Sequence, residues 1–303
     1  MLLTLSAASA QPLAPVSTND SKIVRRWSLP GDPHGIAVGA DGTIYVGLAQ
    51  PQAVVAIDPN RGTIKKRVVL DSAEIAATKE LVTLRTNANR TRLYIANGSD
   101  ESATILSLPD MTILREITIE GEPIRDALPD PAGRFLYLLG HRVHVYDIKG
   151  DEELHTLEID DPVAIAANAS QVAVIAGNRV TEFNTANFSA TRSFAAASGV
   201  EAALFAGREL VLLGHDALQR VGQRVEPACL PNGSGPQIAT IGPDGIVLIA
   251  ERRCNSSAVF SAASLYGVDA YAIAYDAASN LLYTTERAGY LTIYRVPRPA
   301  VAH

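Results

Sequence analysis

Residues 32–64, DPHGIAVGADGTIYVGLAQPQAVVAIDPNRGTI, contain the pattern that decides the fold. Three short apolar runs within them are separated by polar turns, one of which is Asp41-Gly42. Apolar runs of this length that are rich in β-branched and aromatic residues, and bounded by Asp, Gly and Pro, are typical of strands joined by tight turns. This stretch therefore predicts three consecutive antiparallel strands.

The central run of this stretch recurs along the chain. Its copies read TIYVGL, RLYIANG, FLYLLGH, VAVIAGN, LVLLGHD, IVLIAER and LLYTTER, centred on Tyr45, Tyr94, Tyr137, Val174, Val211, Val247 and Tyr283. The spacing between successive centres shortens from 49 and 43 residues to 36 or 37. Repeats of this length with strand-like patterning are typical of β-propellers. The sequence therefore predicts seven similar units.

Each unit carries further apolar runs around its central strand. An inner run precedes the turn, as in GIAV at 35–38, and a third run follows, as in AVVAID at 53–58. A fourth run, TIKKRVVL at 63–70, alternates charged with apolar residues as an exposed outer strand does. Because four short strands cannot bury both faces of their own sheet, neighbouring sheets must stack around an axis. We therefore expect an all-β fold, a seven-bladed β-propeller of four-stranded antiparallel blades.

The two ends of the chain are expected to close the ring. The last unit ends with LTIYRV at 291–296 after only three strands, while KIVRRWSLP at 22–30 has no unit of its own. Adding this N-terminal strand to the outer side of the C-terminal blade removes an exposed edge and joins the ends. The propeller domain is therefore predicted to span 22–303. The sixth unit has only SLYGV at 264–268 for its outer strand, which keeps a six-bladed or irregular ring open.

The N-terminal segment, residues 1–21, is expected to lie outside the propeller. Its apolar run and the sequence Ala8-Ser9-Ala10 resemble the end of a secretory signal, although the basic residues that begin such signals are missing. The segment is interpreted either as signal-like, in a secreted or periplasmic bacterial protein, or as a disordered tail. Cys229 and Cys254 are a candidate disulfide in an exported chain, with two buried thiols as the alternative.

The composition argues against two kinds of partner. A formal net charge of -6 leaves no surplus of cations to neutralise phosphates, so nucleic acid is not expected as a partner. No run approaches the roughly 18 apolar residues of a membrane-spanning helix, so no membrane span is expected. With 47% hydrophobic residues the chain has the composition of a packed globular protein, which we expect to be a monomer.

The first two units resemble the YVTN-type propeller repeats of exported bacterial proteins. Residues 32–64 follow the whole repeat, and the second unit keeps Tyr94, Ile95, Ala96 and Asn97 at the position of the motif. The third and seventh units match in part, and the fourth to sixth keep only the spacing and the apolar character. The resemblance implies a propeller of a broad superfamily that includes lactonases and amine-dehydrogenase-type subunits, and it does not choose a function among them.

The candidate site residues stand directly before the inner strands, where propellers present a channel mouth to ligands. They are His34, Arg125, Glu201, Gln237 and Tyr271. The six histidines are scattered singly, and no carboxylates or thiols accompany them at metal-ligand spacing. We therefore expect neither a metal nor another cofactor.

Two functions follow from these residues. The favoured one is a non-catalytic binding or scaffold propeller, whose channel-face loops bind a protein, a glycan or a small ligand in the bacterial envelope. This function is favoured because no convergent catalytic set is legible. The alternative is a lactonase-like hydrolase acting on a sugar lactone or related ester at the channel mouth, with His34, Arg125 and Glu201 as its acid–base candidates.

Overall fold

A computed structural model of the chain describes residues 11–18, 23–50, 52–70, 82–98, 101–196, 199–214, 217–221, 226–227, 238–241, 247–251, 264–266 and 270–296. Throughout these ranges the regular elements are β-strands. The same ranges contain no helix with the length and apolar character needed to cross a membrane. The predicted all-β class is confirmed.

The strands are numbered in chain order. The first half of the chain contains β1 (Gln11–Pro12), β2 (Ile23–Ser28), β3 (Pro33–Val38), β4 (Ile44–Ala49), β5 (Gln52–Asp58), β6 (Thr63–Val69), β7 (Val82–Thr86), β8 (Arg92–Asn97), β9 (Ser102–Ser107), β10 (Ile113–Thr118), β11 (Asp126–Pro129), β12 (Phe135–Leu139), β13 (Val143–Asp147) and β14 (Glu153–Leu157). The second half contains β15 (Pro162–Ala167), β16 (Gln171–Ala176), β17 (Arg179–Asn184), β18 (Ala190–Ala195), β19 (Val200–Ala206), β20 (Glu209–Gly214), β21 (Ala217–Arg220), β22 (Glu226–Pro227), β23 (Ile238–Ile241), β24 (Val247–Glu251), β25 (Ser264–Tyr266), β26 (Ala270–Asp276), β27 (Leu281–Glu286) and β28 (Tyr290–Arg295).

Within the described ranges these strands form seven sheets, which we name I to VII. Their strand orders are β1-β6-β5-β4-β3 in sheet I, β10-β9-β8-β7 in sheet II, β11-β12-β13-β14 in sheet III, β15-β16-β17-β18 in sheet IV, β19-β20-β21-β22 in sheet V, β23-β24-β25 in sheet VI and β2-β28-β27-β26 in sheet VII. Neighbouring strands pair antiparallel, apart from β24 with β25. Antiparallel sheets of four consecutive short strands are consistent with a β-propeller.

The first hairpin shows how the polar turns produce these sheets. Gly42 has a φ of 77°, a left-handed conformation that favours glycine. The Asp41 carboxylate accepts a hydrogen bond from the backbone N–H of Thr43 at 3.0 Å, which holds the turn in place. As a result β3 and β4 pair with Val38 opposite Ile44.

Alternate residues of a central strand pack against different neighbouring sheets. In β4, the fully buried Tyr45 lies in a core cluster with Leu93 of sheet II. The next residue, Val46, lies in a cluster with Leu291 of sheet VII. Tyr94 of sheet II occupies the corresponding position toward sheet III. Sheets I and II thus bury both faces against their neighbours, as the sequence repeat predicts.

The innermost strands of the sheets lie side by side. β3 contacts both β26 and β7, β7 contacts β11, β11 contacts β15, and β15 contacts β19. β23 contacts both β19 and β26. Two cavities formed by described residues lie along these inner strands.

The N-terminal strand β2 belongs to the same sheet as the C-terminal strands. It pairs antiparallel with β28, with Arg26 opposite Thr292. The Arg26 guanidinium donates to the Thr292 hydroxyl at 2.9 Å and to the Glu286 carboxylate at 3.3 Å. The predicted pairing of the strand at 22–30 with LTIYRV is confirmed.

Residues 11–18 lie against sheets I and VII, whereas the predicted boundary placed them outside the domain. The backbone N–H of Leu13 donates to the Gly62 carbonyl at 2.6 Å, and that of Ser28 donates to the Ala14 carbonyl at 2.9 Å. The Leu13 side chain is buried in the core between the two sheets. Small and apolar residues suit the end of a signal and a buried edge strand equally well, so composition alone could not separate the two roles.

Sheet VI is the least regular of the sheets. Its edge strand β25 pairs in parallel with β24, with Ile249 opposite Ser264, whereas SLYGV at 264–268 was predicted to supply an antiparallel outer strand. Thirteen positions separate Glu251 from Ser264, which is the length of connection that a parallel return requires. The sixth unit is also the one whose sequence left least room for a regular blade.

Candidate functional site

A cavity of about 570 Å³ lies where the inner strands begin, and we call it the mouth cavity. Its volume falls within the roughly 300–1,000 Å³ that is usual for small-molecule sites. Sheets II, III, IV, V and VII all contribute to its wall. The side chains that matter below are Arg85, Arg125, Asp126, Val163, Glu201 and Tyr271. Three of the five residues predicted from the sequence, Arg125, Glu201 and Tyr271, are therefore brought to one cavity.

A second cavity of about 350 Å³ lies where the inner strands end, and we call it the base cavity. Val38 of β3 and Pro129 of β11 are among its lining residues. Arg85 of β7 lines both cavities and so lies between them.

The Arg125 side chain is held by backbone carbonyls of two sheets. Its Nη2 donates to the carbonyl of Pro162 at 2.8 Å and also to the carbonyl of Gly140. Nε and Nη1 have no hydrogen-bond acceptor among the described residues, and no ion pair formed within the described ranges involves this guanidinium. The group is therefore fixed in position at the cavity wall, and it keeps donors that no described residue uses.

Arg85 is, by contrast, fully engaged by a carboxylate. Its Nε and Nη2 donate to the two carboxylate oxygens of Asp126 at 3.2 and 2.9 Å, a bidentate pair between β7 and β11. The charge of Asp126 raises the pKa of Arg85, against the opposing effect of burial. This ion pair joins sheets II and III at the level where the two cavities meet.

The wall formed by sheets IV and V is apolar apart from Glu201. Val163 follows Pro162 on β15 and keeps 41% of its surface exposed, which is unusual for a valine on an inner strand. Ala202 and Ala203 of β19 continue this wall. An apolar surface thus adjoins the carbonyl that fixes Arg125.

Tyr271 lies between a cation and an imidazole. The Arg287 guanidinium carbon lies 4.1 Å from the centre of the Tyr271 ring, a cation–π distance. The His34 ring centre lies 4.3 Å from that of Tyr271, with the two planes tilted by 40°. Tyr271 is therefore positioned by both neighbours on the rim of the mouth cavity.

His34 lies beneath the site. Its side chain is 3% exposed, its Nε2 lies 3.6 Å from Asp32 Oδ2, and its backbone carbonyl accepts a hydrogen bond from the Thr285 hydroxyl. It is not among the residues that line the mouth cavity. The sequence predicted correctly that His34 lies near the start of an inner strand, β3. It did not predict that the His34 side chain is buried.

The structure describes one of the four remaining predicted residues. Glu201 is exposed at the start of β19, on the rim of the mouth cavity. Gln237, and the candidate disulfide residues Cys229 and Cys254, lie outside the residues that the structure describes. In the described part of the chain, no group of three or more His, Cys, Asp or Glu side chains could hold a metal ion.

Arg85 and Val163 are among the cavity residues that were not found as ligand-binding candidates from the sequence. Arg85 lies within the inner strand VTLRT, and Val163 is the second residue of the inner strand of sheet IV. A cation inside an inner strand is a signal for a channel-facing side chain, because a charge is rarely buried between neighbouring sheets without a partner. The exposure of Val163 has no comparable signal.

Comparison with solved structures identifies proteins of similar architecture. Virginiamycin B lyase from Staphylococcus aureus is similar with a TM-score of 0.66 and 10% sequence identity, over 89% of this chain and 98% of that one. Hydrazine synthase of Kuenenia stuttgartiensis is similar with a TM-score of 0.69 and 12% identity, over 88% of this chain and 96% of that one. Both are β-propeller folds. This chain has the β-propeller fold.

The likeness extends to the fold alone at these identities. No family model matches the chain, and no curated protein matches it. Its function must therefore be argued from the mouth cavity itself.

Proposed function

We propose that this protein is a non-catalytic binding propeller that takes a small ligand in the mouth cavity. The observation that carries the proposal is the convergence of Arg125, Glu201 and Tyr271, from three different sheets, on one cavity of about 570 Å³. Two of these side chains are held in place before any ligand arrives, Arg125 by backbone carbonyls and Tyr271 by Arg287 and His34. Such preorganisation reduces the entropy that binding must overcome.

A small ligand is favoured over a protein or a glycan as the occupant. A concave site with an apolar wall and a few fixed polar groups is typical of small-molecule binding. Val163 and the two alanines supply the wall, and Arg125 and Tyr271 supply the polar groups. A protein partner would instead require a broad exposed surface.

The lactonase-like alternative is weaker because its three candidate groups cannot all act as an acid or a base in the cavity. Hydrolysis needs an acid or base within hydrogen-bond reach of the substrate. His34 is buried and does not line the cavity, and Arg125 offers hydrogen-bond donors but no acceptor. Of the three candidates, Glu201 alone is an acid or base that lines the cavity. The other carboxylate of the cavity, that of Asp126, is paired with Arg85.

We also propose that the seven sheets are the blades of one closed ring of the YVTN type, acting as an exported monomer in the bacterial envelope. The contacts of β23 with both β19 and β26 support closure through sheet VI. The resemblance of the first two units supports the repeat type, and the signal-like N-terminal sequence supports export.

The binding function is tested by ligand-detected NMR with a fragment library containing anionic, cationic and neutral compounds. Val163→Trp places a large side chain in the mouth cavity and should abolish the binding of the fragments that bind the unmodified protein. Leu154→Trp is the matched control, since Leu154 has a similar exposed fraction, 44%, on the outer strand β14. Fragments that bind Val163→Trp as well as the control would place the binding site elsewhere.

The hydrolase alternative is tested in parallel with a panel of sugar lactones. The proposed function predicts no hydrolysis above the uncatalysed rate. Turnover that disappears in Glu201→Gln, and persists in Glu209→Gln on the next strand, would instead establish the lactonase-like activity at the mouth cavity.

A further inference from the structure

We infer that the ligand of the mouth cavity is a small amphiphilic carboxylate, whose anionic group binds Arg125 and whose apolar part lies on Val163. This inference rests on the proposed binding function and names the chemical class of the ligand. It is carried by the different states of the two arginines in the cavity and by the position of the apolar wall.

The first step compares Arg85 with Arg125. Both guanidinium groups line the mouth cavity, but Arg85 presents Nε and Nη2 to both oxygens of Asp126. Its charge is neutralised and its preferred carboxylate-binding edge is occupied. Among the described residues, Arg125 donates only from Nη2, and only to neutral carbonyls. Within the described ranges, Arg125 is therefore the cavity cation that retains both charge and donors.

The second step concerns the position of these donors. The carbonyl groups of Gly140 and Pro162 fix the plane of the Arg125 guanidinium without reducing its charge. A carboxylate that approaches Nε or Nη1 forms charge-assisted hydrogen bonds, which are roughly twice as strong as neutral ones. Because the side chain is already ordered, little rotamer entropy is lost when the anion binds.

The third step concerns the rest of the ligand. Val163 directly follows Pro162, so an exposed apolar side chain stands beside the group that anchors the guanidinium. Ala202 and Ala203 extend that surface away from it. A bare inorganic anion would leave this wall in contact with water, whereas a carboxylate with an apolar body covers it. The cavity volume admits a body of one or two rings.

The experiment measures affinities by titration calorimetry for three compounds of nearly equal shape, which are 4-phenylbutanoate, 4-phenylbutanamide and 4-phenylbutylammonium. We expect the unmodified protein to bind the carboxylate at least about ten-fold more tightly than the amide. The ammonium compound should bind more weakly still. Raising the salt concentration should reduce the affinity for the carboxylate and leave that for the amide unchanged. Inorganic phosphate should bind more weakly than 4-phenylbutanoate.

Two variants assign the preference to Arg125. Arg125→Gln should reduce carboxylate affinity to that of the amide, whereas Arg125→Lys should keep part of the preference, since a lysine ammonium retains the charge but not the planar fork. Arg115→Gln on the outer strand β10 is the matched control and should change nothing. If Arg125→Gln does not fold, the ligand series and the lysine variant still decide the question.

The outcomes separate this inference from the proposed function. Equal binding of carboxylate and amide, with both lost in Val163→Trp, would overturn the ligand class and leave the binding function standing. Tighter binding of phosphate than of 4-phenylbutanoate would overturn the amphiphilic part. If no compound of any charge binds, including the fragments of the wider library, both conclusions fail.

Discussion

Arg90 donates a hydrogen bond to the Asp276 carboxylate at 2.7 Å, although 186 residues separate the two in the sequence. Arg90 follows β7 in sheet II, and Asp276 ends β26 in sheet VII, so the ion pair spans sheet I, whose strand β3 contacts both. Burial alone would raise the pKa of Asp276, but hydrogen bonds from Ser279 and from Arg90 outweigh it and hold the pKa below its ordinary value. The base of the propeller is thus fastened across three sheets.

Arg90→Gln is expected to lower the free energy of unfolding by about 1–3 kcal/mol, because it leaves the Asp276 carboxylate, 6% exposed, without its cation. Urea denaturation followed by circular dichroism measures the loss. Arg115→Gln is the control, since Arg115 and Asp151 form an exposed pair at 3.8 Å whose removal should cost less than about 0.5 kcal/mol. Equal losses in the two variants would mean that the Arg90 pair does not fasten the sheets.

Gly62→Ala is expected to destabilise the protein more than Gly42→Ala. Both glycines have positive φ values, of 62° and 77°, so an alanine costs about 1–2 kcal/mol of backbone strain at either position. A Cβ at Gly62 would in addition stand 2.6 Å from the ring of Trp27, whereas one at Gly42 meets nothing within 4 Å. The excess, about 1–3 kcal/mol, measures the contact between sheets I and VII.

Trp27 supplies the measurement for this comparison. It is the only tryptophan of the chain, so its fluorescence reports on the junction of β2 with sheet I. Its indole N–H donates to the carbonyl of Pro59 at 3.2 Å. A fluorescence change in folded Gly62→Ala, but not in folded Gly42→Ala, is the expected sign that the ring has been displaced. Identical spectra and identical stabilities would exclude the steric explanation.

Much of the fold was predictable because the recurring central strand of the repeat is apolar on both faces. Tyr45, Tyr94, Tyr137 and Tyr283 are all buried, and each lies at the centre of one recurring run. A strand is buried on both faces only when its sheet lies between two neighbouring sheets. A strand that is apolar on both faces therefore indicates a sheet within a stack. Leu13 could not be assigned in the same way, because an edge strand of two residues has no periodicity to detect.

The location of the site was predictable from the sequence, whereas the burial and the hydrogen bonds of its side chains were not. One cavity is lined by Arg125, Glu201 and Tyr271, because the inner strands begin at the same end of the stacked sheets. The burial of His34 depends on the Tyr271 ring, and the state of Arg125 depends on the carbonyl of Pro162. Such contacts between different units follow from tertiary packing, which a single sequence does not encode locally.

Leu13→Ala tests whether residues 11–18 stabilise the propeller. Leu13 is 7% exposed and lies in the core between sheets I and VII, so we expect a loss of about 2–3 kcal/mol. Leu154→Ala removes the same atoms from a side chain that is 44% exposed and should cost less than about 0.5 kcal/mol. Thermal and urea unfolding measure both. A Leu13→Ala protein as stable as the control would show that the segment is not part of the folded domain in solution.

His144→Gln is expected to flatten the acid side of the stability profile. The two imidazole nitrogens of His144 lie 3.0 Å from Glu122 Oε2 and 2.9 Å from Glu153 Oε1. Burial alone would raise the pKa of Glu122, but hydrogen bonds from the Arg142 backbone and from His144 lower it, and His144 and Thr156 act likewise on Glu153.

The sign of this effect follows from the lowered pKa values. A carboxyl whose pKa is lower in the folded state contributes stability above its unfolded pKa, and that stability is lost as the pH falls through the folded value. The window from pH 5 to pH 3 contains the ordinary pKa of a glutamate and the region below it, where Glu122 and Glu153 lose this contribution. We expect the unmodified protein to lose about 1 kcal/mol more than His144→Gln over this window. His155→Gln, whose ring stacks on Phe188 at 5.2 Å, is the control and should follow the unmodified profile. Parallel pH profiles for the unmodified protein and His144→Gln would mean that the imidazole does not stabilise the two carboxylates.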